Sequence, residues 1–347
     1  MTATYIENVA AVPETLRAAA EMYASADFDQ ALDKAARLLR DRAVTSTGMG
    51  ASFFALTATR ASLDRALRPH WIDETGYLDE NIGRINRPLD AVLAVSQSGE
   101  TVEGRKLLPK LDGVPQVLVA RDTESSLARQ ADVVLPQHCP ADLSVSVQTY
   151  VTQIAVLELL AARVARRETE PLLADLRSVA DSAAAVLDSL RGQIERAAVL
   201  LSDADQIYAL GRGNSIASAL GTGLLFKEAA KRDCEGMSSA QFRHGAVEVV
   251  TDRTAALIFA GGEPDVRRLD ENLARELVSY GSRVVVVTHD DFAELDGVTV
   301  LRLPQGPPSM RRILEIVPSE LMAYHLAERN NVVAGEFRNT VPVIVSA

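Results

Sequence analysis

The sequence predicts an α/β fold, a doubly wound parallel sheet built twice, and three observations support that expectation. Short apolar, β-branched runs alternate with stretches of helical spacing, the pattern of a parallel sheet with helices on both faces. Two turns of the same form, Gly48-Met-Gly50-Ala-Ser52 and Gly211-Arg-Gly213-Asn-Ser215, each follow such a run. The interval from Gly48 to Ser98 equals that from Gly211 to Gly261. A repeat of this size is a whole domain, not a solenoid unit. The expectation is two tandem doubly wound parallel-sheet domains with flanking helices.

Residues 13–39 read as one or two helices ahead of the first sheet. Residues 43–47 form the first strand and run into the Gly48 turn. Residues 90–95, Asp-Ala-Val-Leu-Ala-Val, are a short apolar run closed by a turn signal, hence a buried strand. Residues 100–111 show helical spacing, and residues 115–120 are again a strand. Residues 144–167 read as a long helix, with Tyr150, Ile154, Leu157 and Leu160 on one face. The polar break Arg166-Arg-Glu-Thr-Glu-Pro171 ends in proline. It divides the chain into residues 1–167, N-terminal helices and first domain, and residues 168–347, second domain with a C-terminal tail. Residues 172–201 are helical. Strands at 206–210, 255–260 and 283–288 answer those of the first half, and Leu303-Pro304-Gln305 answers Leu135-Pro136-Gln137. Residues 318–330 form the last helix, and an extended tail runs from Gly335 to Ala347.

Bulk properties narrow the partners. With 347 residues, each half can bury its own core. A hydrophobic fraction of 47% and a charged fraction of 24% describe an ordinary globular chain. The formal charge of −11, without a basic tract, argues against nucleic acid and anionic membrane surfaces as partners. Cys139 and Cys234 fall in different halves and imply reduced thiols rather than a disulfide framework. The N-terminus lacks the basic-then-apolar pattern of a signal peptide, and no apolar run approaches a transmembrane span. The expected location is cytoplasmic.

Chemistry concentrates first at Ser96-Gln97-Ser98-Gly99-Glu100-Thr101, between a predicted strand and a predicted helix. Unpaired backbone N–H groups at a helix start, joined by Ser and Thr hydroxyls, make a phosphate cradle without a P-loop lysine. Taken alone, the string also fits an ordinary Ser-capped helix. Neither G-x-G-x-S turn has the third glycine of a dinucleotide fingerprint, so both read as tight strand–helix turns and no cofactor is expected. No His, Cys or carboxylate spacing indicates a metal.

Two titratable residues of the second half stand out. Glu228 lies three residues after Leu225 and four after Leu224, which puts its carboxylate on an apolar stripe. Burial there would raise its pKa toward neutrality and suit it to proton transfer; the competing reading is a solvated Lys227-Glu228 charge pattern. His244, in Gln241-Phe-Arg-His-Gly245, is either a proton-transfer group or a satisfied structural histidine. The remaining histidines, His70, His138, His289 and His325, read as isolated.

These residues, with Glu124-Ser-Ser-Leu127, Thr152-Gln153, Val156-Leu157, Leu210-Gly-Arg-Gly213, Lys227-Glu228 and Ala323-Tyr-His325, resemble tandem sugar-isomerase (SIS) domain proteins. The chain is similar to the isomerase half of glutamine–fructose-6-phosphate transaminases, from about residue 30 to the end. The resemblance implies a flavodoxin-like fold in each half. It places phosphosugar contacts on Ser52, Ser96, Gln97, Ser98 and Thr101, with Ser146 near the sugar. It makes Glu228 the proton shuttle and His244 the ring-opening residue, contributed across the interface of a homodimer. Gly261-Gly-Glu-Pro264 has lost the hydroxyls of the first cradle, which implies one phosphosugar per subunit.

Three departures bear on the reaction. No glutaminase segment with its catalytic cysteine precedes the repeat, so the resemblance implies no amidotransferase activity. Pro342 stands where the transaminases carry a tail lysine, and it offers neither an amine nor a backbone N–H. Leu225 replaces a further lysine. What remains is an aldose–ketose isomerase or deaminase acting on an amino-sugar phosphate of the glucosamine-6-phosphate type. A deglycase of 6-phosphofructosyl amino acids is the nearest alternative, and a phosphosugar sensor without catalysis is the alternative from another class.

Overall fold

A computed structural model of the protein describes residues 4–142, 145–262 and 264–339. The elements of the first half are α1 (Tyr5–Tyr23), α2 (Ala26–Leu39), β1 (Val44–Gly48), α3 (Ala51–Ala58), α4 (Arg60–Ala66), β2 (His70–Glu74), α5 (Thr75–Asn81), β3 (Ala91–Val95), α6 (Val102–Leu107), β4 (Gln116–Ala120), β5 (Val133–Pro136) and α7 (Gln148–Val164). They continue through α8 (Glu170–Ser189), α9 (Arg191–Ser202), β6 (Gln206–Gly211), α10 (Ile216–Ala230), β7 (Cys234–Ser238), α11 (Ser239–Phe242), β8 (Thr254–Ala260), α12 (Pro264–Ser279), β9 (Arg283–Thr288), β10 (Val298–Arg302) and α13 (Arg311–Arg329).

Two compact units result. One comprises Glu14–Ala180; in the other, the start of α1 up to Pro13 joins Asp181–Arg338. The clusters part inside α8, because that helix runs unbroken past the polar segment 166–171.

The first unit holds a five-stranded sheet of order β2-β1-β3-β4-β5, the second one of order β10-β9-β8-β6-β7. All strand pairs are parallel. Read from its β7 edge, the second sheet has the same order as the first. β1, β3 and β4 are buried along their whole length, as are β8 and nearly all of β6 and β9. Such strands have helices on both faces and read as continuous apolar runs. β1 is the exception in composition, since Val44-Thr-Ser-Thr-Gly48 is buried despite its hydroxyls. They are hydrogen-bonded: Ser46 Oγ lies 2.8 Å from His70 Nε2, and Thr47 Oγ1 donates to Thr75 Oγ1 over 3.1 Å.

The differences from the sequence reading are local. β2, β7 and β10 are edge strands, half-exposed and mixed in composition, so they lack the apolar run that marks a central strand. The expected helix 100–111 is α6 followed by a 3₁₀ turn, Leu108–Leu111, with Pro109 near its start. Pro13 and Pro318 lie inside α1 and α13 rather than at their starts. The long helical stretch after Pro171 is two helices, divided at Leu190.

Candidate functional site

In the first unit β1 and β3 are neighbours, with Gly48 opposite Val95. The turns that follow them therefore emerge side by side at the carboxyl end of the sheet, where ligands of such sheets bind. The turn after β1 carries Ser52, and the loop after β3 carries Ser96, Gln97, Ser98 and Thr101.

Gly48 is needed at this crossing, since a Cβ there would stand 3.0 Å from Phe53 N and 3.2 Å from the Val95 carbonyl. The loop after β3 is organised by its own serines. Ser96 Oγ accepts from Gly99 N over 3.1 Å, and Ser98 Oγ accepts from Glu100 N over 3.1 Å. Two of the N–H groups expected to face a phosphate are thus already paired. Both hydroxyls act as acceptors here and keep their O–H free to donate. Thr101 is the N-cap of α6, and its hydroxyl makes no capping bond to the helix. Glu100 turns outward, and its carboxylate accepts from Ser126 N over 2.6 Å.

Ser52 is buried, and its Oγ accepts from Gln153 Nε2 of α7 over 3.0 Å. Ser146 lies just ahead of α7, with its Oγ 2.5 Å from Thr149 Oγ1. Thr149 is in turn held by Asp142, which accepts from Val147 N (2.9 Å), Thr149 N (2.8 Å) and Thr149 Oγ1 (2.7 Å). Asp142 is 5% exposed and, from outside the helix, satisfies backbone N–H groups at the start of α7. Gln153 and Asp142 thus support the named residues from behind. Sequence spacing singled out neither for that role, because both act through contacts distant in the chain or through a cap outside the helix.

In the second unit Glu228 sits in the last turn of α10, half-buried. Burial pushes its carboxyl up to about 7, and the Lys231 ammonium acts against that rise. The sequence expectation of a carboxylate on an apolar stripe thus meets a group poised near neutrality. Leu225 is buried on the same helix. His244 follows α11 and is exposed; its backbone N donates to Gln241 O over 2.9 Å. Among the described residues its ring takes no hydrogen bond, and none joins it to Glu228. Of the tail, Arg338 and Asn339 are described, and Pro342 lies outside the described residues.

One expectation is corrected. His70 is not isolated: its Nε2 faces Ser46 Oγ at 2.8 Å and its Nδ1 faces Asp64 Oδ1 at 2.7 Å. Ser46 meets the nearby pair Asp64 and His70 because β2 pairs with β1 and α4 precedes β2. His325 likewise faces Glu328, at 3.1 Å. Among the described residues no group of three or more His, Cys, Asp or Glu could hold a metal ion, and no helix is long and apolar enough to cross a membrane.

Comparison with known proteins identifies the second unit. A family model for the SIS domain matches residues 200–327. The second unit is a SIS domain. Over 300 residues the chain is 29% identical to the glutamine–fructose-6-phosphate aminotransferase (isomerizing) of Pyrococcus horikoshii, covering 84% of this chain and 49% of that protein. The enzyme of the same name from Caulobacter vibrioides is 29% identical over 258 residues, 70% of this chain and 42% of its own length. The chain thus spans about half the length of the curated relatives it matches, and it is homologous to their isomerase part. Among solved structures, the C-terminal domain of glucosamine-fructose-6-phosphate aminotransferase from Francisella tularensis superposes with a TM-score of 0.82 at 20% identity, covering 97% of this chain and 98% of that one. Glucosamine-6-phosphate deaminase from Thermotoga maritima superposes with a TM-score of 0.78 at 17% identity, covering 99% of each chain. At these identities the likeness is one of fold. The two five-stranded parallel sheets therefore have the same fold as these structures.

Proposed function

We propose that this SIS protein is a phosphosugar isomerase–deaminase acting on an amino-sugar phosphate of the glucosamine-6-phosphate type. The observation that carries the reading is Glu228: a carboxyl held near 7 by burial can both take and return a proton at neutral pH. The homology to the isomerase part of the aminotransferases supports the same substrate class.

In this reading the hydroxyls of Ser52, Ser96, Ser98 and Thr101, with the Gln97 amide, hold the phosphate, and Ser146 contacts the sugar. Anchoring one end of the substrate lowers the entropic cost of orienting C1 and C2. His244, exposed in its own chain, reaches the sugar of a partner subunit and moves a proton from the anomeric hydroxyl to the ring oxygen, opening the ring. Glu228 then takes the proton from C2 and returns it at C1, through an enolamine, leaving an imine at C2. Water adds to the imine, ammonia leaves, and fructose 6-phosphate remains. No step requires an amine at position 342.

The test is release of ammonia and fructose 6-phosphate from glucosamine 6-phosphate, with Glu228→Gln as control. Release by the native chain that disappears in the control supports the reading. No release from glucosamine 6-phosphate, but release of an amino acid from a 6-phosphofructosyl amino acid, replaces it with a deglycase. Binding of both sugars without turnover of either replaces it with a sensor.

A further inference from the structure

Lys231 occupies a backbone position that disfavours it. It caps the C-terminus of α10 in the left-handed region, φ 53° and ψ 36°, where glycine or asparagine is the usual choice. Its N–H closes the helix onto Phe226 O, a bond a glycine would make equally well. The side chain folds back over the last turn of α10, and Nζ donates to the Glu228 carbonyl. On its other side Nζ lies 5.8 Å from the centroid of the Phe337 ring.

Phe337 reaches this spot because the segment after α13 straps across the end of α10. Gly335 N donates to Ala229 O over 3.1 Å, and Asn330 Nδ2 donates to Ala230 O over 2.9 Å. The ammonium is therefore fixed between helix and strap. Other charged groups lie on the turn and strand after α10 (Arg232, Asp233, Glu235), on α13 (Glu328) and on the strap (Glu336, Arg338). Glu336 and Arg338 act on Lys231, with opposite signs, and Lys231 is the one whose charge registers at Glu228.

We propose that Lys231 is a positioning residue for Glu228: its ammonium, bonded to the Glu228 carbonyl and pinned by the C-terminal strap, holds a fixed positive charge at the turn that carries the proton-transfer group. The inference rests on the reading of Glu228 given above. It explains why a strained lysine stands where a glycine would cap the helix, and it gives the strap a part in the site.

Lys231→Gly separates the two roles of this residue, because glycine relieves the backbone while removing the ammonium. The experiment follows the ¹³C signal of the Glu228 carboxylate through a pH titration, assigned by its loss in Glu228→Gln, alongside kcat and KM for glucosamine 6-phosphate. The expected result is a Glu228 midpoint displaced to higher pH in Lys231→Gly and Lys231→Met and near native in Lys231→Arg. With it, kcat falls at pH 7, KM changes little, and Tm in Lys231→Gly is unchanged or raised. A midpoint that is the same in all four proteins overturns the proposal. The titration needs no substrate, so if the native chain turns over no phosphosugar, the proposed function fails while the role of Lys231 is still decided.

Discussion

A Cβ on Gly99 would stand 1.9 Å from Ser125 Oγ and 2.5 Å from Ser125 Cβ, so the loop after β3 closes against residue 125 only with glycine at position 99. Gly99 also has φ +65°, in the left-handed region. Its N–H is the group that Ser96 Oγ accepts from, and its carbonyl accepts from Leu127 N over 3.0 Å. Gly99→Ala should cost about 1–3 kcal/mol through strain and the clash. It should weaken phosphosugar binding more than tenfold by moving Ser96 and Ser98. Adding Ser125→Gly should recover part of both losses, since the two sites are in contact. Denaturant unfolding and calorimetric titration with fructose 6-phosphate check this; a Gly99→Ala protein that binds normally contradicts the cradle.

Asp142 carries several bonds at once: the backbone N–H groups of Val147, Gln148 and Thr149 at the start of α7 and the Thr149 hydroxyl that meets Ser146. Asp142→Ala strips the cap from a buried helix start, with an expected cost of about 1–3 kcal/mol. It also frees Ser146, so KM should rise more than kcat falls. Asp142→Asn keeps one acceptor and should lie between. Steady-state kinetics beside thermal unfolding distinguish these outcomes from a variant that merely unfolds.

The parts of the fold legible in the sequence are those where one residue type recurs at a fixed period. Buried central strands such as β9, Arg283-Val-Val-Val-Val-Thr288, are unmistakable, and the paired glycine turns exposed the repetition of sheet order. The loop Ser96-Gln97-Ser98-Gly99-Glu100-Thr101 was legible because its hydroxyls and glycine cluster at the junction of a strand and a helix. The edge strands β2 and β7 were not, because half-solvated strands have no apolar run to read. The roles of Gln153, Asp142 and Lys231 were silent for another reason. Each acts through a contact set by tertiary packing or backbone conformation, such as the Gln153–Ser52 bond across 101 positions of sequence.

Ser46, His70 and Asp64 have the distances of a nucleophile–base–orienter line, 2.8 and 2.7 Å. Access decides against catalysis. Ser46 is fully buried in the middle of β1, and the His70 side chain is 1% exposed, so no acyl group can reach the hydroxyl. The expectation is no labelling by a fluorophosphonate and no loss of turnover in Ser46→Ala. That variant should lose about 1 kcal/mol, the worth of a buried hydrogen bond whose partner is left unpaired. Burial holds the His70 pKa below its ordinary 6.5, against the opposing pull of Asp64. The unfolded chain therefore binds that proton first, and the fold weakens as pH falls below about 6.5. Ser46→Ala and His70→Gln measured at pH 5 and pH 8 test this: the native protein should lose stability toward pH 5 more steeply than His70→Gln.

Glu228 should show the opposite pH dependence for stability and for turnover. Its carboxyl binds a proton more tightly folded than unfolded, about 7 against the ordinary 4.5. Below pH 4.5 the group is neutral in both states and contributes nothing to the difference. As pH rises through this window the unfolded chain ionises first, so folding stability falls and the loss is complete above about 7. Turnover runs the other way, because removal of the C2 proton needs the carboxylate; kcat/KM should rise with pH along an acid limb centred near 7. Glu228→Gln is neutral throughout. It should match the native protein in stability at pH 4, exceed it at pH 8, and be inactive at both. Paired unfolding curves and pH–rate profiles decide the point: a Gln variant no more stable than native at pH 8 would mean that burial does not hold this carboxyl near neutrality, and the proton shuttle would have to be sought elsewhere.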